Sequence, residues 1–255
     1  INMKFKFPIL LVLVSVLATT SFVSCGKKKN KTGTFTDERD GKQYEWVEIG
    51  DQVWMSENLA YTGDNGFQVH KTLAYDSLNL WAASPFNGWC YYNDDESNAL
   101  TYGVLYQWEA ALQAAPEGWH LPTYGEMTEL NNLLYSDYSK TGWENNYAIC
   151  LATDYGWDYD EGTMNVGNTD SPEYRNNTGF SGLPAGFRAS HWSTGNNSFY
   201  GVQGSNAYWW SSTNQAGQGI YRLALSSKES RAYLSTQPGS DAVSVRCIRA
   251  VSYTH

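Results

Sequence analysis

The chain has 255 residues and a formal net charge of −9, a balance that argues against a nucleic-acid partner, because phosphate binding needs a basic face. It carries 11 Trp, 19 Tyr and 23 Gly with 17% charged residues. Aromatics and glycines at this density suit a loop-rich fold held by aromatic packing and argue against a bundle of long aliphatic helices.

Taken in chain order, Lys4 and Lys6 form a basic stretch ahead of an apolar run from Pro8 to Ala18, which is too short to span a bilayer. The run ends in Ser21-Phe22-Val23-Ser24-Cys25-Gly26, which resembles a bacterial lipobox. The expectation is a lipoprotein signal peptide over residues 1–24 and an acylated Cys25. More than one buried acyl chain would then hold the protein at the outer membrane or cell surface. The alternative is a plain secretory signal with a chance cysteine. Gly26-Lys27-Lys28-Lys29-Asn30-Lys31-Thr32-Gly33 reads as a flexible tether, so 25–33 is lipidated cysteine plus linker and 34–255 a single domain. Cys90, Cys150 and Cys247 remain. In an oxidising envelope these permit one disulfide and leave one thiol over, and the sequence does not choose the pair.

Asp40-Gly41 and Gly50-Asp51 are turn signals among short β-forming pieces, Thr36 to Tyr44 and Trp46 to Trp54, which predicts an N-terminal hairpin. Asp94-Asp95-Glu96 is an acidic loop without the fixed ligand spacing of a calcium loop, and reads as a solvated turn. Val104, Leu105, Trp108 and Leu112 fall at helical spacing, predicting a helix over 104–112 that Pro116 and Gly118 stop. Thr123-Tyr124-Gly125-Glu126 matches a capping box, in which the Thr123 hydroxyl accepts from the Glu126 N–H and the Glu126 carboxylate reaches back. Met127, Leu130, Leu133 and Leu134 continue one face of a second helix over about 124–135. From Ser139 to Gly179 the chain lacks periodicity, and such a stretch carries binding or packing duties.

The last 75 or so residues read as strands. Leu223 and Leu225 alternate with Arg222, Ala224 and Ser226, and Ala232 and Leu234 alternate with Arg231, Tyr233 and Ser235. This predicts a hairpin with one apolar and one outward face. Val243, Val245 and Cys247 share a face of one final strand.

Several segments occur in a familiar order: Asp40-Gly41-Lys42-Gln43-Tyr44, Gly50-Asp51-Gln52-Val53-Trp54-Met55-Ser56-Glu57-Asn58-Leu59, Tyr102-Gly103-Val104-Leu105-Tyr106-Gln107-Trp108, Gly118-Trp119-His120-Leu121-Pro122-Thr123, Gly182-Leu183-Pro184-Ala185-Gly186-Phe187-Arg188, Trp209-Trp210-Ser211-Ser212-Thr213 and Ser244-Val245-Arg246-Cys247-Ile248-Arg249. The chain resembles the Fibrobacter succinogenes major paralogous domain, found in envelope lipoproteins of that organism and of Bacteroides-like bacteria. The resemblance implies an α+β domain of the C-type-lectin-like fold, with two helices, a twisted antiparallel sheet and adjacent termini. It places the chain near formylglycine-generating enzymes and the variable proteins of diversity-generating retroelements. Family members often carry a cysteine where this chain has Ala114-Ala115-Pro116, and another where it has Ser97-Asn98-Ala99.

Three function classes follow. The enzyme reading needs the copper-binding cysteine pair or clustered histidines of the formylglycine-generating relatives, but Cys247 lacks a nearby cysteine and His70, His120, His191 and His255 are scattered. His120, between Trp119 and Leu121, reads as a hydrogen-bonded core histidine. No nucleophile elbow is present, so no enzyme, cofactor or metal site is expected. The binder reading rests on the outward hairpin face, whose Tyr, Arg, Ser and Gln are paratope residue types. In the retroelement relatives the variable positions lie between segments like Trp210 to Thr213 and Ser244 to Cys247. The candidate ligand-binding residues are Trp192, Tyr200, Gln215, Gln218, Arg222, Ser226, Glu229, Arg231, Tyr233 and Gln237, for a protein or glycan ligand. The absence of a calcium-and-sugar motif favours protein. The third class is a structural or pilus-associated envelope lipoprotein.

Overall fold

A computed structural model describes residues 30–63, 70–71, 88–139, 146–189 and 200–250. The expected signal peptide, Cys25 and the first part of the tether lie outside these residues. Among them no helix is long and apolar enough to cross a membrane.

The architecture is α+β. Strands β1 (Thr32–Thr36), β2 (Gln43–Ile49) and β3 (Gln52–Met55) form two successive antiparallel hairpins, with β13 (Ile248–Ala250) added beside β3. The ladder already pairs Thr32 with Val47 and Gly33 with Trp46, so the folded chain starts before the expected boundary at residue 34. Gly50, at φ +61°, makes the β2–β3 turn in a backbone region that other residues enter at a cost. Both ends of the described chain thus lie in one four-stranded sheet.

The second sheet has seven strands. Its order is β11 (Tyr233–Gln237), β10 (Gly219–Ser226), β9 (Asn206–Gln215), β12 (Val243–Ser244), β6 (Leu105–Tyr106), β5 (Gly88–Cys90) and β4 (His70–Lys71). A short ladder joins β7 (Phe187–Arg188) to β8 (Tyr200–Gly201). The expected single final strand is two: β12 belongs to the seven-stranded sheet and β13 to the four-stranded one. Val245 to Cys247 cross between them, with their carbonyls accepting from Leu59 N–H (2.9 Å) and Met55 N–H (3.0 Å).

The helices also depart from the expectation. Residues 105–106 are strand, and α2 (Trp108–Ala114), which follows the one-turn α1 (Ala99–Tyr102), buries Ala110, Ala111 and Ala114 while Leu112 is exposed. Three alanines carried the buried face, and the larger apolar residues at similar spacing masked it. Helix α3 (Tyr124–Ser139) buries Met127, Leu130 and Leu134 as expected and runs one turn longer.

The central pair β9–β10 is covered on both faces. Ala207, Trp209, Leu223 and Leu225 join Phe180, Trp54 and the α3 residues in one core cluster. Tyr208, Trp210, Ile220 and Ala224 join Val243, Val245 and the α2 alanines in another. Ala224 is therefore in a core and not on a solvent face. The three cysteines sit in three different clusters, Cys150 and Cys247 in these two and Cys90 in a smaller third. Among the described residues none is joined to another in a disulfide. Burial pushes the Cys247 thiol up to about 12.

The stretch from Tyr147 to Phe180 is held by packing and buried polar groups, with Met164, Val166 and Phe180 fully buried. Arg175 fastens it, donating to the carbonyls of Thr153 (2.8 Å), Val166 (2.7 Å) and Asn168. The acidic loop is a capped turn: the Asp95 carboxylate accepts from the Ser97 N–H (2.9 Å) and hydroxyl (2.7 Å).

Candidate functional site

The Trp209-to-Thr213 segment serves as framework. The Trp209 indole donates to Asn58 Oδ1 (2.8 Å) and the Trp210 indole to the Tyr106 carbonyl (2.7 Å). The Ser211 carbonyl accepts from the Trp108 indole (3.0 Å), and the Thr213 hydroxyl accepts from Tyr124 N–H (3.0 Å). Ser211 Oγ accepts from Thr213 N–H (3.0 Å) and Ser212 N–H donates to the Pro122 carbonyl (2.8 Å), so these groups too serve the local structure.

The candidate ligand residues are strung along the β10–β11 hairpin. Gln215 and Gln218 flank the β9–β10 turn, where Gln218 N–H donates to the Gln215 carbonyl (2.9 Å) and the Gln218 side chain is exposed. Gln237 pairs with Ile220 near that end, and its amide is engaged by the Asp241 carboxylate. Tyr233 pairs with Ala224 at the other end. Four residues at about 3.3 Å rise put the two ends roughly 13 Å apart, so the set is not one patch.

Arg222 corrects the alternation argument. It sits on the face opposite Leu223, but that face is covered: the guanidinium lies 3.7 Å from the Tyr208 ring centroid and Nε donates to Ser235 Oγ (3.1 Å). It is half-buried, and burial pulls its pKa down, with Tyr208 opposing. Arg222 is a strut between strands, not an outward contact. Ser226 is likewise used locally, its hydroxyl accepting from Lys228 N–H (3.4 Å) and its carbonyl from Glu229 N–H (3.0 Å).

Three of the ten residues do converge. Glu229, Arg231 and Tyr233, with Tyr147 and Ala232, line a depression of about 450 Å³. Glu229 and Arg231 are exposed, and Tyr233 retains 37% of its exposure. The Glu229 carbonyl accepts from Val166 N–H (3.0 Å) and the Ser230 carbonyl from Ala148 N–H (2.9 Å), which ties the turn to the irregular stretch. The Tyr147 hydroxyl reaches the Ala232 carbonyl (3.3 Å), and burial raises its pKa while Arg231 opposes the rise. The depression therefore holds opposite charges and two phenols on a fixed backbone. Tyr200 is described only as the β8 partner of Arg188, and Trp192 lies outside the described residues.

His120 also differs from its reading as a core residue. Its backbone bridges Ile248, and its side chain keeps 49% of its exposure while Nε2 lies 2.7 Å from Glu126 Oε1. The other Glu126 oxygen accepts from the Thr123 N–H (2.8 Å) and hydroxyl (2.9 Å), and Glu126 N–H donates to Thr123 Oγ1 (3.2 Å). Burial acts to raise the Glu126 carboxyl, but the Thr123 N–H, His120 and the Thr123 hydroxyl outweigh it and hold it low. Among the described residues no three of His, Cys, Asp and Glu are placed to hold a metal ion.

Sequence reasoning missed the polar node beneath the sheets. Arg246 is wholly buried, its Cζ 4.3 Å from the Phe180 ring centroid, and its Nη2 donates to Asn58 Oδ1 (2.9 Å). Burial pulls its pKa to about 9, with Glu57 opposing. The signal was present in Ser56-Glu57-Asn58 and Ser244-Val245-Arg246, two segments far apart in sequence.

Comparison with curated proteins finds no match, and comparison with solved structures finds none. The family model described as the Fibrobacter succinogenes major domain matches residues 47–249. That span runs from the second strand of the N-terminal sheet to the last strand beside it, so the chain belongs to the Fibrobacter succinogenes major domain family.

Proposed function

We propose that the chain is an envelope lipoprotein, acylated at Cys25, whose domain of C-type-lectin-like fold binds a protein ligand through the far end of its β10–β11 hairpin and is not an enzyme. One observation carries the reading: Glu229, Arg231 and Tyr233 line one depression with Tyr147 beside β11, the outermost strand of the seven-stranded sheet. Aromatic and Arg side chains are the residue types in which interface energy concentrates, and here the backbone beneath them is fixed on both sides.

The same reading makes this region the variable part of a retroelement-diversified protein, with the Trp210-to-Thr213 and Ser244-to-Cys247 frames held constant around it. Sequencing the locus across related strains tests this. The expected result is substitution concentrated at exposed positions such as Gln218, Glu229, Arg231 and Tyr233, with Leu223, Leu225 and Arg222 unchanged. Uniform scatter, or invariance throughout, would contradict it and favour a structural envelope role.

A further inference from the structure

A second cavity of about 450 Å³, lined by none of the candidate ligand residues, opens between β2, the loop after β3, α1 and the Tyr155 and Ser181 loops. Its construction is rigid. Gly103, at φ +73°, brings the end of α1 so close to the loop after β3 that a Cβ there would lie 2.7 Å from the Leu59 carbonyl oxygen. The Asn58 amide clamps the same junction by donating to the Tyr102 carbonyl (2.8 Å), while its oxygen accepts from Trp209 (2.8 Å) and Arg246 (2.9 Å). Asn58 and Ser181 line the cavity, and Arg246 bonds both, its Nη2 reaching the Ser181 carbonyl at 3.3 Å. The buried guanidinium thus lies directly behind the floor.

The lining is chemically mixed. Glu45 and Glu57 offer carboxylates and Lys42 an ammonium, and Glu57 Oε1 is set in place by Glu45 N–H (3.1 Å). Lys42, whose Nζ lies 4.7 Å from the Tyr44 ring centroid, shares the cavity with the two carboxylates, so the lining presents both signs of charge and not one alone. Over this polar floor stand Leu100, 91% exposed, and Tyr155, 58% exposed. An apolar side chain this open on a cavity rim, beside acceptors and donors of both kinds, suits a ligand with hydroxyls on its edges and C–H faces above and below. The volume falls within the range of about 300–1,000 Å³ typical of small-molecule sites.

We propose that this cleft binds a short neutral saccharide, with Tyr155 stacking on a sugar face and Glu45, Glu57 and Lys42 meeting its hydroxyls. The site is separate from the hairpin depression and does not depend on it.

Saturation-transfer NMR on the full chain tests this with cellotetraose, xylotetraose and tri-N-acetylchitotriose as probes and hexylamine as a cationic probe. At least one saccharide should receive saturation, and Tyr155→Ala should weaken its binding by about tenfold or more, as loss of one stacking contact implies. Glu57→Gln, which keeps the shape of the side chain, should weaken it too, and Glu117→Gln on a remote exposed turn should not. The proposal is overturned if no saccharide of the panel receives saturation or if Tyr155→Ala and Glu57→Gln bind as the parent does. It is equally overturned if Tyr233→Ala removes binding as well, which would assign it to the hairpin, or if hexylamine binds and displaces the saccharide.

Discussion

At the scale of single residues, burial decides chemistry more than residue type does. Cys247 is one of three thiols of which an oxidising compartment would allow two to pair, yet it sits in a core cluster apart from Cys90 and Cys150 and its thiol is pushed up to about 12 from an ordinary 9.0. A folded-state pKa raised above the unfolded value means that the stabilising contribution is whole below pH 9.0 and is lost as pH rises toward about 12. Urea unfolding at pH 8, 10 and 11 should therefore show falling stability across that window, and a shallower fall in Cys247→Ala; equal slopes would show that the thiol does not titrate on unfolding. Arg222 teaches a related lesson. Alternation assigned it to the correct face but could not reveal that Tyr208 and Ser235 cover that face, because the covering residues come from neighbouring strands.

At the scale of elements, what could be read locally was read. The Thr123 and Glu126 capping box depends on residues three apart, and the structure shows both of its reciprocal bonds. Thr123→Ala should lower stability by ~0.5–2 kcal/mol, measured by urea denaturation, because an orphan helix N–H loses its acceptor. A variant of parental stability would remove the box from the account. The 104–112 helix failed for a non-local reason: Leu105 and Tyr106 pair with Ser244 and Val243, a partner nearly 140 residues away that no window contains. The buried side of α2 is made of alanines, which carry weak periodic signal. The final strand split because its two halves pair with different sheets.

At the scale of the whole molecule, the family segments converge on a shared interior. Asn58, Trp209 and Arg246 come from three of them and meet in one hydrogen-bonded node between the sheets. That convergence was legible only as order along the chain, since contact between segments this far apart is set by topology. The grouping of the candidate residues was legible in part. Glu229, Arg231 and Tyr233 meet at one depression, while Gln215, Gln218 and Gln237 lie at the other end of the hairpin and Ser226 and Arg222 serve the fold. The central claim is that binding energy lies at that depression. Peptides selected from a displayed random library on the immobilised full chain give the direct measurement, by their affinities for Arg231→Ala, Tyr233→Ala and the remote Glu117→Gln. The account predicts a loss of roughly 30-fold, about 2 kcal/mol, in each of the first two and parental affinity in the third. Selected peptides that bind Arg231→Ala and Tyr233→Ala as tightly as the parent chain would contradict it.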